Sequence, residues 1–180
     1  MITAIITTVT FLSTFFAVYH LVCSFKHKRQ PVMNVKNELG FSLIIPCYNE
    51  EPILPSTIAG LLSLDYGNFE VIFVNDGSTD QTAGVLRDML DIEPYYGDCV
   101  VTGGLVFQSK KYPHFFVIDK SNSGKAASLN KGIQASSKEL VVTMDCDCIL
   151  EKDALRVMNQ TFQDPDVIAA GGVVHVMQYF

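Results

Sequence analysis

Phe41-Ser-Leu-Ile-Ile-Pro-Cys-Tyr-Asn-Glu50 decides the fold, because a short branched apolar run is closed by Pro46 and followed at once by polar residues. A run of that length and branching reads as a buried strand, and the polar tail reads as the loop at its carboxyl end. The pairing recurs downstream. Phe69–Val74 leads into Asn75-Asp-Gly-Ser-Thr-Asp80, Phe115–Ile118 into Asp119-Lys-Ser-Asn-Ser-Gly-Lys125, and Leu140–Met144 into Asp145-Cys-Asp147. Helical patterns lie between the strands. Leu54, Ile58, Leu61 and Leu62 share one helix face. Thr79 or Asp80 reads as the N-cap of a helix with Leu86, Met89 and Leu90 inward, and Ser123 as the cap of one holding Ala126, Leu129, Asn130 and Ile133. Leu155, Met158 and Phe162 mark a last helix, and Val167–Val176 a further strand interrupted at Gly171-Gly172. The stretch 91–113 reads as an insertion or long loop. Strands alternating with helices give an α/β fold, an open, mainly parallel sheet with helices on both faces.

In such a sheet a ligand sits outside the carboxyl ends of the strands. The polar segments after the four strands therefore converge on one edge, which is the argument for a binding cleft. Each has an ordinary reading by itself. Asn75-Asp-Gly77 is a common turn. Ser123-Gly-Lys125 lacks the Walker pattern, since Ala126 and Asp119 stand where Ser or Thr and the first Gly belong. Asp145-Cys-Asp147 does not open an EF-hand, because Leu150 occupies the glycine position. Cys146 and Cys148 lack a second ligand pair for zinc, and no G-x-G-x-x-G follows a strand. The carboxylates at the end of an apolar strand remain, costly there unless they meet a cation or donors. Residues i and i+2 leave a strand on the same face, so Asp145 and Asp147 can share one hard ion, Mg²⁺ or Mn²⁺, with a nucleotide diphosphate.

The chain has 180 residues with 48% apolar and 18% charged side chains, enough apolar surface for a core. A net charge of −6 argues against a sequence-independent nucleic-acid binder. Five cysteines without regular spacing are not a disulfide framework. Met1–Phe25 contains no Asp, Glu, Lys or Arg, and a helix of that length is about 37 Å long, enough to cross a bilayer. Positive charge follows it, in Lys26, Lys28 and Arg29, and no Ala-x-Ala cleavage site follows. The expectation is a single span over residues 1–25 in the cell membrane, a tether over 26–40, and a cytoplasmic domain over 41–180.

Ile45-Pro-Cys-Tyr-Asn-Glu-Glu51, Val74-Asn-Asp-Gly-Ser-Thr-Asp80, Asn122-Ser-Gly-Lys-Ala-Ala-Ser-Leu-Asn-Lys-Gly132 and Asp145-Cys-Asp147 together resemble the glycosyltransferase family 2 catalytic domain, with its GT-A fold. The resemblance covers about residues 41–176. The Gly-Lys-Ala-x-x-Leu-Asn-x-Gly string is most similar to the membrane polysaccharide synthases that make poly-N-acetylglucosamine, chitin, hyaluronan and cellulose. It implies an inverting transferase that takes a UDP-sugar donor, a divalent metal, and a carbohydrate or lipid-linked acceptor. Pro46, Tyr48 and Glu50 would line the nucleotide pocket, and Asp76 would hydrogen-bond the uracil. Lys125 would sit near the diphosphate, Asp147 would hold the metal, and Asp145 the ribose or the metal. Asn75 stands where relatives often have Asp. In the family the catalytic aspartate, in a Thr-Glu-Asp motif, and a Gln-x-x-Arg-Trp motif stand well past the Asp-x-Asp; neither motif is among the 180 residues, which contain no tryptophan. The expectation is therefore a donor-binding part that by itself transfers no sugar. The alternatives are a non-catalytic nucleotide-binding membrane protein, whether a truncated product or a subunit completed by a partner chain, and a polyprenyl-phosphate sugar transferase.

Overall fold

The computed structural model describes residues 2–26, 35, 37–97 and 103–172, and divides into two units, residues 1–31 and 32–180. Among the described residues the first unit contains one helix, α1 (Ile2–Lys26). Thr7, Thr8, Ser13 and Thr14 each donate a side-chain hydroxyl to the carbonyl four residues back at 2.8–2.9 Å. Ile2–Cys23 is long and apolar enough to cross a membrane.

The second unit runs β1 (Phe41–Cys47), α2 (Leu54–Leu62), β2 (Phe69–Asp76), α3 (Thr82–Leu90), β3 (Ile92–Pro94), β4 (Leu105–Ser109), β5 (Phe115–Lys120), α4 (Lys125–Ala135), β6 (Leu140–Thr143) and α5 (Ala154–Thr161). The strands form one sheet in the order β3-β4-β5-β2-β1-β6. The pairs β5·β2, β2·β1 and β1·β6 are parallel, and β3·β4 and β4·β5 are antiparallel. Alternate residues of the central strands serve the two faces. Leu43, Ile45, Cys47, Val71, Phe73, Phe115 and Val117 meet α2, α3 and α5 through Leu54, Ile58, Leu61, Leu86, Leu90 and Leu155. Ile44, Ile72, Val74 and Ile118 face α4 and its Leu129. The expected fold class holds.

Helix α4 buries only Ser128 and Gly132, so close approach holds it rather than large side chains. A Cβ on Gly132 would stand 2.2 Å from Ile44 Cγ2. Beneath it lies a buried carboxylate. Glu70 accepts from Ser42 Oγ at 2.6 Å, from the Ser137 amide at 2.6 Å and from Ser137 Oγ at 2.8 Å.

Several local expectations are corrected. Pro46 does not close β1, which runs to Cys47. Ile44 O accepts the Met144 amide, so Pro46, two residues on, faces the same side past the end of β6, where its missing N–H costs no ladder bond. Gln81, not Thr79 or Asp80, is the N-cap of α3, while Asp80 Oδ1 accepts the Thr82 amide at 2.9 Å. Gly124, not Ser123, precedes α4. The stretch 91–113 is not all loop, since β3 and β4 extend the sheet antiparallel beyond β5. No strand lies in 167–172, and 173–176 fall outside the described residues. Nor is the whole of 26–40 a free tether. Asn159 clasps its end, donating to Asn37 O at 3.0 Å and accepting the Leu39 amide at 3.2 Å, and Tyr66 donates to Leu39 O at 2.7 Å.

Candidate functional site

The carboxyl ends of β1, β2, β5 and β6 meet at one cleft of about 440 Å³. Pro46, Tyr48, Glu50, Asp76, Lys125, Asp145 and Asp147 all line it, as do Cys47, Asn122, Gly124, Ser128 and Cys146. The parallel register produces this convergence. Cys47 lies opposite Asn75, and Asn75 opposite Asp119, so the loops leave side by side.

Two of those loops are sewn together. Asn49 adopts φ 57°, and its side-chain oxygen accepts the Thr79 amide at 2.8 Å. The Glu50 amide donates to Thr82 Oγ1 at 2.8 Å, the Glu51 amide to Asp80 at 3.2 Å, and the Gln81 amide to Glu51 at 3.1 Å. Gly77, at φ 64°, lets the β2 loop pass the Asn122 amide, which a Cβ would approach to 2.6 Å. That binding holds Tyr48 half exposed at the mouth of the cleft.

Asp76 forms the floor of the cleft and belongs to a buried ion pair. Lys120 Nζ donates to Asp76 Oδ1, to Ser121 O at 2.9 Å and to Ser123 Oγ at 2.8 Å. Asp76 also accepts the amides of Ser123 at 2.9 Å and Gly124 at 2.8 Å, which fixes the approach to α4. Burial alone would raise the Asp76 pKa, but Lys120 and the two amides outweigh it and hold the carboxyl below its ordinary range. Asn75 donates to Asp119 at 2.8 Å, an amide–carboxylate bond in which Asp at position 75 would place two carboxylates together.

Above the floor, Lys125 Nζ lies 2.5 Å from Asp145 Oδ1, both well exposed. The bond to Asp145 raises the lysine pKa. Burial raises that of Glu50, and the carboxylates of Asp147, Asp80 and Asp145 add to it. Asp145 and Asp147 do not leave a strand as expected, since β6 ends at Thr143 and a turn closes from the Cys148 amide to Asp145 O at 3.1 Å. Alternation nevertheless persists, with Asp145 and Asp147 exposed and Cys146 buried between them. Among the described residues no three His, Cys, Asp or Glu side chains gather as a metal site. Two carboxylates in one cleft suit an ion whose shell is completed by phosphate oxygens and water, the usual way Mg²⁺ is held.

Sequence reasoning missed Lys120, Thr57 and the Cys47–Cys146 pair. Thr57 Oγ1, on α2, donates to Cys146 O at 2.5 Å and so holds the Asp-Cys-Asp turn. The two thiols are 3.6 Å apart, and the bond to Cys146 together with burial pushes the Cys47 thiol well up. A second, more open hollow of about 580 Å³ lies at the adjoining ends of β4 and β5, lined by Gly103, Gly104, Leu105, Asp119, Lys120 and Ser121. Its lysine is committed to Asp76, so it offers no comparable chemistry.

The description "Glycosyl transferase family 2" matches residues 42–179. Poly-beta-1,6-N-acetyl-D-glucosamine synthase of Staphylococcus aureus (strain COL) is 32% identical over 146 residues, 80% of this chain and 31% of the relative. The synthase of that name from Staphylococcus epidermidis is 33% identical over 124 residues, 69% of this chain and 26% of the relative. This chain thus spans less than a third of the length of those relatives. Among solved structures, the mannosyltransferase PcManGT from Pyrobaculum calidifontis, in complex with GDP-Man and Mn2+, superposes with a TM-score of 0.66 at 21% identity, covering 89% of this chain and 43% of that one. Staphylococcus aureus TarS 1-349 in complex with UDP-GlcNAc gives 0.55 at 23% identity, covering 70% and 32%. These likenesses establish a fold of the GT-A type. With its family match running from β1 past α5, the chain belongs to glycosyl transferase family 2.

Proposed function

We propose that this chain is the donor-binding part of a membrane-anchored inverting glycosyltransferase, which uses a UDP-sugar and a divalent metal to extend a carbohydrate or lipid-linked acceptor into a polysaccharide. One observation carries the reading: the cleft opposes a lysine to two exposed carboxylates above a rigid polar floor. Lys125 is a mobile cation suited to diphosphate charge, and a phosphate oxygen replaces Asp145 as its partner when donor binds. Asp147 and Asp145 hold the ion, which when bound supplies Lewis-acid help to the departing diphosphate. Asp76 has about four acceptor positions. Lys120 and the two amides take three, and the position left on Oδ2 accepts the uracil N–H. Pro46, Tyr48 and Glu50 wall the nucleotide side. The synthase relatives favour a polymer product over a single transfer to a lipid phosphate. α1 anchors the chain in the cell membrane, with Lys26, Lys28 and Arg29 at its cytoplasmic end.

The test of the Lys125 assignment compares two ligands. Lys125→Ala should weaken UDP binding at least about tenfold, the scale of a lost charge-assisted contact of about 1.5–3 kcal/mol. It should leave the weaker binding of uridine, which has no diphosphate, unchanged. Equal loss for both ligands, or loss for neither, removes the lysine from the diphosphate site.

A further inference from the structure

We infer that Cys47 and Cys146 form a redox-responsive thiol pair beneath the cleft, which a peroxide closes to a disulfide that pulls Asp145 and Asp147 out of their binding geometry. The consequence for binding rests on the donor-site reading above, whereas the pair itself rests on the fold. The β1·β6 register pairs each residue with the one 99 positions on, from Phe41↔Leu140 to Ile44↔Thr143. The Met144 amide, donating to Ile44 O at 3.2 Å, carries that pairing past the end of β6. The same offset sets Cys146 against Cys47, with sulfurs 3.6 Å apart. Both side chains point to the same core face, and both line the cleft, which gives a small oxidant its route.

The chemistry balances with a peroxide as the oxidant. One cysteine, as its thiolate, attacks the O–O bond and becomes a sulfenic acid, and the departing hydroxide takes up the proton that thiol had released to leave as water. The other displaces the second oxygen as water. Two thiol protons and two electrons pass to the peroxide, and one S–S bond forms. Forming that bond draws the sulfurs together by about 1.5 Å. Thr57 holds the Cys146 carbonyl, so the turn cannot follow as a body. The residues on either side of each cysteine take up the movement. These are Asp145 and Asp147 in the turn after β6, and Pro46 and Tyr48 beside Cys47. Metal ligands tolerate errors of only about 0.2 Å, so the ion site loses its geometry.

The experiment exposes the purified full chain to hydrogen peroxide, alkylates remaining thiols, and maps the linked peptides by mass. UDP binding with Mn²⁺ is measured before, after, and after reduction by dithiothreitol. The expected result is a Cys47–Cys146 linked peptide and UDP affinity lower by at least about tenfold, restored by the reductant. Cys47→Ala and Cys146→Ala should lose the response to peroxide, and Cys148→Ala should keep it. Cys47 and Cys146 both still alkylated after peroxide, linkage only to Cys148 or Cys99, or a linked pair with unchanged UDP affinity overturns the proposal. If the reduced chain binds no UDP, the donor reading fails while the peptide map still decides whether the pair closes.

Discussion

Lys120 ends β5 with a side chain that is 3% exposed, and the facing carboxylate of Asp76 supplies the charge that balances its buried ammonium. Asp76→Asn removes the charge while keeping the shape. It should destabilise the fold by about 3–5 kcal/mol at neutral pH, the cost of a buried charge left without its partner, read by denaturant unfolding. The pH dependence follows from the lowered Asp76 pKa. Stability contributed by an ionised carboxylate is complete above its unfolded value of 3.8 and is lost as pH falls through the lower folded value. The gap between Asp76→Asn and the unaltered chain should therefore be flat from pH 5 to 7 and narrow below about pH 4. A gap that grows on acidification would contradict the pair. The reasoning that singled out Asp145 and Asp147, charges ending an apolar run, applies equally to Lys120, which follows Phe115–Asp119. The partner of that lysine was not legible, because it lies 44 residues away on a neighbouring strand. Thr57 carried no signal at all, being one hydroxyl on an apolar helix face.

Elements with strong apolar runs were legible. β1, β2, β5 and the inward faces of α2 and α3 stand where branching and period put them, because burial on both faces leaves such segments no other use. β3 and β4 were not. Their pattern is half exposed, and pairing with an edge is what makes strands of them. The helix starts were misplaced for a related reason. Ser123 has the side chain of a cap, but Asp76 captures its amide and Lys120 its hydroxyl. At this scale Gly132 is the sensitive point. Gly132→Ala raises helix propensity by up to about 1 kcal/mol, yet it drives a methyl into Ile44. Overpacking of that kind costs about 1–3 kcal/mol, so a net loss of thermal stability is expected. A gain would show that α4 can lift from the sheet freely.

At the scale of the molecule, the four loops meet because parallel strands carry their carboxyl ends to one edge, and that much followed from the order of motifs alone. The topology of α1 is a separate matter, tested by cysteine accessibility in intact cells. Ile2→Cys should react with an impermeant thiol reagent from outside, and Ile168→Cys, 95% exposed on the domain, should not. The reverse pattern would invert the orientation. The proposed donor site holds a nucleotide diphosphate through a metal on the Asp-Cys-Asp turn. Calorimetry of the full chain with UDP, with and without Mn²⁺, tests it most directly. Binding should require the ion, and Asp147→Ala should lower UDP affinity at least about tenfold, since alanine cannot replace a carboxylate that bridges chain to metal. UDP binding of equal strength without Mn²⁺ and after Asp147→Ala would contradict it.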